Sequence, residues 1–345
     1  NRGERLRAFA LGGKNRQVTR EIVNLFLGLA RNFDAVLPRL ARPLRTLERV
    51  GSFAESYGAR KQFFKACSEN PDLFKILCLL FDRSRFIHEL LCRHPGIMEE
   101  LLYEASARQK SLEDMLEEIG RLPGERFAHY LWLYVKAEQV RLAIAEVLHE
   151  TGIEDTEQAL SNLAEAAVRA ALGKVDPEGE LAVIALGKFG GRELNFGSDL
   201  DILVTGPDAA EARLIRRVSA LTRLLQHNEA NGRTYEVDLR LRPHGQDGPL
   251  ITTREALRAY HHGGGGQAWE KQILTRARTV AGHTEAGEAL TAEIDALIFA
   301  GPLPQEETRQ LLAMRERAER EKAAVEPFWR AFKAGPGGIM DIEFA

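Results

Sequence analysis

Two aspartates one residue apart, Asp199 and Asp201, stand in the stretch "GSDLDILV" among Leu200, Ile202, Leu203 and Val204. On a strand, positions i and i+2 share a face, so both carboxylates project together while Leu200 and Ile202 enter the core. Burying carboxylates among aliphatic side chains is costly unless a positive charge meets them. A pair of hard oxygen ligands suits Mg²⁺, which favours one or two carboxylates plus substrate phosphates. Asp238, in the alternating segment "TYEVDLRLRP", is a candidate third ligand. There Tyr235, Val237, Leu239 and Leu241 form the apolar face and Glu236, Asp238, Arg240 and Arg242 the other. Arg240 and Arg242 carry planar donors suited to phosphate oxygens; salt bridging to Glu236 or to a helix is the alternative use of both. Upstream, "GKFGGR" places Gly187, Gly190 and Gly191 where backbone N–H groups approach phosphates closely, with Lys188 as a point charge and Arg192 beside them. Ser198 joins this nucleotide-contact set. A phosphate turn, paired aspartates and a third aspartate on a later strand describe phosphoryl or nucleotidyl transfer. Two metals about 3.5–4 Å apart would clamp the attacking and leaving oxygens.

Other motif assignments fail on detail. A P-loop requires GxxxxGK[ST], but Phe189 follows Lys188; a dinucleotide fingerprint requires GxGxxG, which "GKFGG" is not. An EF-hand needs an oxygen ligand where Leu203 stands. His261 and His262 precede four glycines and are expected in a flexible loop, since adjacent side chains point apart and no acidic or thiol partner is near in sequence. Trp269 and Glu270 lie in a helical pattern that assigns Trp269 to the core. Asp341 and Glu343, beside a glycine turn, are open between nucleotide contact and helix capping.

The elements that must hold these groups divide the chain in three. Residues 1–173 form a helical N-terminal region, with apolar residues at helical spacing in "REIVNLFLGLARNF", "ARKQFFKACSE", "PDLFKILCLLF" and "SRFIHELLCRH". Pro71 and Pro95 are placed as first-turn prolines. A long helix over 125–148 carries a stripe through Phe127, Leu131, Tyr134, Val135, Gln139 and Leu142. Residues 174–250 form a small α/β catalytic core: the apolar runs "LAVIAL" and "DLDILV" are strands, 209–227 a helix with Leu214, Val218, Leu221 and Leu225 on one face, and "RTYEVDLRLRP" a third strand. Residues 251–345 are expected to be helical again. The fold class is α+β, mostly helical, and no internal repeat occurs.

Composition bounds the function. The chain has 345 residues, 44% hydrophobic and 28% charged, with no apolar run of the roughly 18 residues that cross a bilayer. The opening "NRGERLRAFALGGKNRQ" lacks the apolar segment of a signal peptide, so a cytoplasmic location is expected. A net charge of −3 provides no global basic field, which disfavours nucleic acid and favours a protein or small-molecule partner. Cys67, Cys78 and Cys92 match neither a zinc nor a disulfide spacing and are expected as buried free thiols. The first residue, Asn1, and the apolar run before Ala345 suggest an excised piece.

Gly187-Lys188, ten residues, then Asp199-x-Asp201 resembles the signature of the polymerase-β-like nucleotidyltransferase superfamily, with Lys188 where a serine usually stands. Four collinear blocks, "LGKFGGRELNFGSDLDI", "YEVDLRLRPHGQDGPL", "WEKQILTRAR" and "GPGGIMDIEF", resemble the glutamine synthetase adenylyltransferase/adenylyl-removing family more narrowly. The helical leader is similar too, in "SENPDLFKIL", "LLCRHPGIMEELL" and "KAEQVRLAIAEVL". The resemblance implies one of two halves: one transfers AMP from ATP to a tyrosine of glutamine synthetase, and the other removes it with inorganic phosphate, releasing ADP. It implies Mg²⁺, two ions by the reasoning above, on Asp199 and Asp201 with Asp238 completing the site. Lys188, Arg192, Arg240 and Arg242 would be phosphate or nucleotide contacts. A PII-type nitrogen signalling protein is a possible further partner. "RELNF" and "DGPL" are similar to the removing half, and the "SENP" leader, "GSDLD" and "GGIMDIEF" to the transferring half, which is the half favoured.

Overall fold

The chain is described by a computed structural model covering residues 20–58, 60–98, 110–147, 151–229, 232–323 and 331–344. The N-terminal 17 residues that bear on a signal peptide, residues 99–102 of the leader block and Ala345 lie outside the described residues. Two compact units divide the chain. One takes the described residues up to Ala171 with Arg192–Asp199 and Thr222–Glu236; the other takes Leu172–Gly191, Leu200–Leu221 and the residues from Val237 onward.

The first unit is helical. Its helices are α1 (Arg20–Val36), α2 (Pro43–Ser56), α3 (Arg60–Glu69), α4 (Pro71–Arg83), α5 (Arg85–Arg93), α6 (Leu112–Gly120), α7 (Phe127–Val147) and most of α8 (Ile153–Val175). Their starts are written locally. Asn70 Oδ1 accepts the Leu73 N–H at 3.1 Å ahead of Pro71 in the first turn of α4, and Ser84 Oγ accepts the Ile87 N–H at 3.1 Å to open α5. Pro95 sits instead in the turn after α5. A phenylalanine cluster fills the centre, in which Phe53 meets Phe63 and Phe81 edge-on at 5.7 and 5.5 Å.

Helix α7 departs from the striped helix expected. It is buried almost all round, and Lys136, Glu138, Gln139 and Arg141 are buried with its apolar residues. Glu138 resolves its own burial by pairing with Lys110 at 2.7 Å and Arg141 at 2.8 Å. Cys67 and Cys78 are buried free thiols, as expected, and Cys92 is half-buried; burial pushes the Cys67 thiol up to about 12.

The second unit carries a four-stranded sheet. β1 (Ala182–Ala185) leads into one helical turn, α9 (Gly187–Gly190), and β2 (Leu200–Thr205) into α10 (Ala212–Leu225). β3 (Asn228–Glu229) and β4 (Gly232–Arg233) make a separate ladder in the helical unit. β5 (Val237–Asp238) then returns to the sheet, followed by α11 (Arg254–His262), α12 (Ala268–Leu274), β6 (Arg278–Gly282), α13 (Thr284–Phe299), α14 (Gln305–Ala318) and α15 (Ile339–Phe344). The sheet order is β5-β2-β1-β6; β1 runs antiparallel to β2 and β6, and β2 parallel to β5. Ile184, Leu186 and Leu203 of this sheet region pack with Leu257, Leu274, Leu290 and Ile294.

Three expectations are corrected. The third strand pairs over two residues only: the chain turns at Arg240–Leu241, and a 3₁₀ turn follows at Gly245–Asp247. β6 stands in the region where helices are expected to dominate. His261 and His262 end helix α11 rather than forming a loop, its start being capped by Thr253 Oγ1 on the Ala256 N–H at 3.2 Å.

Candidate active site

β2 and β5 bring two carboxylates side by side. In their parallel register Leu200 lies opposite Val237 and Asp201 opposite Asp238, so both aspartates leave the same face of the sheet. Both are half-buried. Residues β-bridged in this way hold their positions by backbone hydrogen bonds, not by side-chain choice.

The glycine turn abuts this pair. Gly187 adopts φ +53°, and a Cβ on it would lie 2.7 Å from Asp201 Oδ2, so a side chain is excluded by the carboxylate and disfavoured by the backbone alike. The main chain joins the two elements as well: the Leu186 N–H donates to the Asp201 carbonyl at 2.9 Å. At the other end of α9, a Cβ on Gly190 would collide with the carbonyl oxygen of Arg276. Lys188 is exposed on this turn.

The sheet also supplies an arginine that the motif analysis did not assign. Arg278, in register with Ala185 across the β1–β6 ladder, donates through Nε to the Gly190 carbonyl at 3.1 Å and through Nη2 to the Phe189 carbonyl at 3.3 Å. It ties down the C-terminal end of the glycine turn. The sequence signal was "RTVAG", β-branched and alternating, hidden in a helix-rich region.

The remaining assigned residues have specific partners. Arg240 clamps Asp238 through Nε at 3.0 Å and Nη2 at 2.5 Å, and its backbone N–H adds a 2.7 Å bond. That guanidinium holds the Asp238 carboxyl below the usual carboxylate range, against the opposing effect of burial, so Asp238 is ionised at neutral pH. Arg242 is buried and its guanidinium donates to the carbonyls of Leu239, Gln246 and Gly248 at 2.6, 2.9 and 3.0 Å. It braces its own loop. In the helical unit, Arg192 donates to Asn162 Oδ1 at 2.9 Å, with Glu165 at 3.6 Å. Ser198 Oγ accepts the Asn195 N–H at 3.0 Å, and Asp199 is exposed one residue before β2 begins, not within the strand. Asp341 is held by Arg315 at 2.6 Å and accepts the Gly337 N–H, a brace for the glycine turn before α15. Glu343 is exposed, and its carbonyl accepts from Gln272 at 3.0 Å. Trp269 is half-buried and donates to Gln267, so it is less interior than expected.

The Asp201–Asp238 pair has the donor chemistry of a hard divalent cation site: two carboxylates in register and half-buried. Asp238 already carries the positive charge of Arg240, a side chain 65% exposed. Among the described residues, the one group of three carboxylates drawn within 4.8 Å is Asp176, Glu178 and Glu180, ahead of β1. Arg217 meets Asp176 at 2.7 Å and also Glu178, and Arg213 meets Glu180, so each of these carboxylates already has a guanidinium partner.

Comparison with known proteins adds an independent line. Residues 74–293 match the family model described as glutamate-ammonia ligase adenylyltransferase. The chain belongs to this family. It is 31% identical to the bifunctional glutamine synthetase adenylyltransferase/adenylyl-removing enzyme of Thioalkalivibrio sulfidiphilus, over 97% of this chain and 38% of the relative. It is 30% identical to the enzyme of the same description from Ralstonia nicotianae, over 99% of this chain and 38% of the relative. The similarity to the Chromobacterium violaceum protein is 31%, over 91% and 38%. The chain thus spans under two-fifths of the length of these family members. No helix among the described residues is long and apolar enough to cross a membrane.

Proposed function

We propose that this member of the family is a Mg²⁺-dependent nucleotidyltransferase that moves AMP from ATP to a tyrosine of glutamine synthetase. The observation that carries the reading is the register of Asp201 on Asp238 beside the side-chain-free Gly187 turn, in a chain of the adenylyltransferase family. Asp201 and Asp238, with Asp199 preceding the strand, are the residues to hold Mg²⁺, which would offset charge on the α-phosphate. The turn at Gly187–Gly190 lets the substrate phosphates approach main chain, and exposed Lys188 adds a point charge. The tyrosine oxygen forms its bond to the α-phosphorus as the bond to the β-phosphate oxygen breaks, and pyrophosphate leaves. Asp238, ionised at neutral pH, is the acceptor we assign to the hydroxyl proton.

A second reading is the removing half, in which inorganic phosphate attacks the phosphorus of the tyrosine-bound AMP, the bond from that phosphorus to the tyrosine oxygen breaks, and ADP is the product; it is supported by the "RELNF" and "DGPL" segments. One experiment separates them. The chain is incubated with glutamine synthetase and α-labelled ATP in one arm, and with labelled phosphate plus adenylylated glutamine synthetase in the other. Label on glutamine synthetase supports the transferase; labelled ADP in the second arm supports removal. Activity undiminished in Asp201→Asn refutes the site in either case. A cytoplasmic location and a PII-type regulator fit the same reading.

A further inference from the structure

The helical unit contains a cavity of about 200 Å³ whose lining includes Lys136, Gln139, Trp132, Tyr235 and Ser198 and none of the Gly187 turn, Asp201 or Asp238. Lys136 is only 7% exposed, yet it has no carboxylate partner among the described residues: Nζ donates to the Thr234 carbonyl at 3.0 Å and to Gln139 Oε1 at 3.3 Å. Two neutral acceptors leave one ammonium N–H and the whole charge unanswered. A buried cation is ordinarily paired, as Glu138 of the same helix is.

The acidic residues of the wall do not supply the missing charge. Glu89 is engaged by Arg85 at 2.5 Å, and Glu236 by Arg233. Arg93 adds a further cation to the lining. Tyr235, in the same wall, keeps a buried phenol oxygen with no hydrogen-bond partner. A concave site with an uncompensated ammonium, an amide and a phenol has the donor set of an oxyanion pocket, and its volume suits a small ion and not a whole nucleotide.

We propose that this cavity binds a small oxyanion, a phosphate or a carboxylate group, with Lys136 as its counter-charge. The inference does not rest on the nucleotidyl-transfer reading, since none of the residues assigned there as metal ligands lines the cavity.

The test uses the chain with Trp269 and Trp329 replaced by Phe, so that Trp132 fluorescence alone reports. Inorganic phosphate is titrated at constant ionic strength against chloride, with acetate as a separate arm. The expected result is saturable quenching or enhancement by phosphate, weakened at least about tenfold in Lys136→Met and weakened in part by Arg93→Ala. The acetate arm says whether a carboxylate suffices. The Asp201→Asn variant should bind phosphate as the parent does; loss of binding there would assign the ion to the carboxylate pair and overturn the proposal. A response identical in chloride and phosphate, or one that survives Lys136→Met, overturns it too. Should Lys136→Met fail to fold, Arg93→Ala, whose residue is exposed, and calorimetric titration of the parent with phosphate still decide the point.

Discussion

Replacing Lys136 by methionine probes a buried charge with no carboxylate partner among the described residues. Burial pulls the Lys136 ammonium from 10.5 down to about 8. A shift of that size corresponds to about 3 kcal/mol between its charged and neutral forms. The sign follows from proton counting. Between about pH 8 and 10.5 the unfolded chain binds a proton at this position that the folded chain has lost, so folding stability gains with rising pH in that window. Below pH 8 both states are protonated and the full cost of burying the charge is present. Methionine keeps most of the side-chain volume, removes the charge, and loses two hydrogen bonds of about 1 kcal/mol each. Near pH 7 in chloride the variant should therefore equal or exceed the parent in stability by about 1 kcal/mol, and by pH 10 the order should reverse as the parent recovers about 2–3 kcal/mol. Urea unfolding followed by circular dichroism at pH 7, 8, 9 and 10 measures this directly. Parallel stability profiles for parent and variant would refute the reasoning, because they would mean that the lysine titrates alike in both states.

Four further outcomes are expected. Asp201→Asn should abolish label transfer while leaving the urea midpoint within about 1 kcal/mol of the parent, because the side chain is half-buried at a strand start and the change is isosteric. Gly187→Ala should cost about 1–2 kcal/mol from the left-handed backbone alone, and should reduce turnover more than stability, since the new methyl displaces Asp201 Oδ2. Arg242→Ala should destabilise the sheet-bearing unit by about 1–3 kcal/mol by stripping three carbonyls of their donor, as hydrogen exchange over 239–248 would report. Phe53→Ala should cost about 3–5 kcal/mol in urea unfolding by opening the aromatic cluster; a cost below 1 kcal/mol would contradict the packing described.

Much of the frame was legible because it obeys local rules. "LAVIAL" and "DLDILV" are β-rich apolar runs without helical spacing, and they became β1 and β2. Asn70-Pro71 and Ser84 announce α4 and α5 through capping chemistry confined to four residues. The extent of the third strand was not legible, since strict alternation from Tyr235 to Leu241 states which face each residue prefers but not where a partner strand stops. Arg242, called onto the carbonyls of its own loop, closes that stretch by contacts that no spacing encodes. β6 escaped for a related reason: a short strand that opens on a charged residue, Arg278, gains its identity from β1, the neighbour it pairs with. The partnership of Arg278 with the glycine turn spans almost ninety residues of chain and has no local mark at all. Helix α7 misled in the opposite sense, because its charged residues pair or hydrogen-bond internally and so travel inward with the leucines.

The chain enters each compact unit in three separate passages, and this bears on how the protein can be dissected. A cut at any single peptide bond near residue 171 would strand Arg192–Asp199 and Thr222–Glu236 with the wrong partner. The C-terminal half of such a split keeps every segment of the sheet-bearing unit but carries two segments of the helical unit with it, and the N-terminal half lacks those two. Isolating the sheet-bearing unit therefore calls for re-joining Gly191 to Leu200 and Leu221 to Val237 through new linkers.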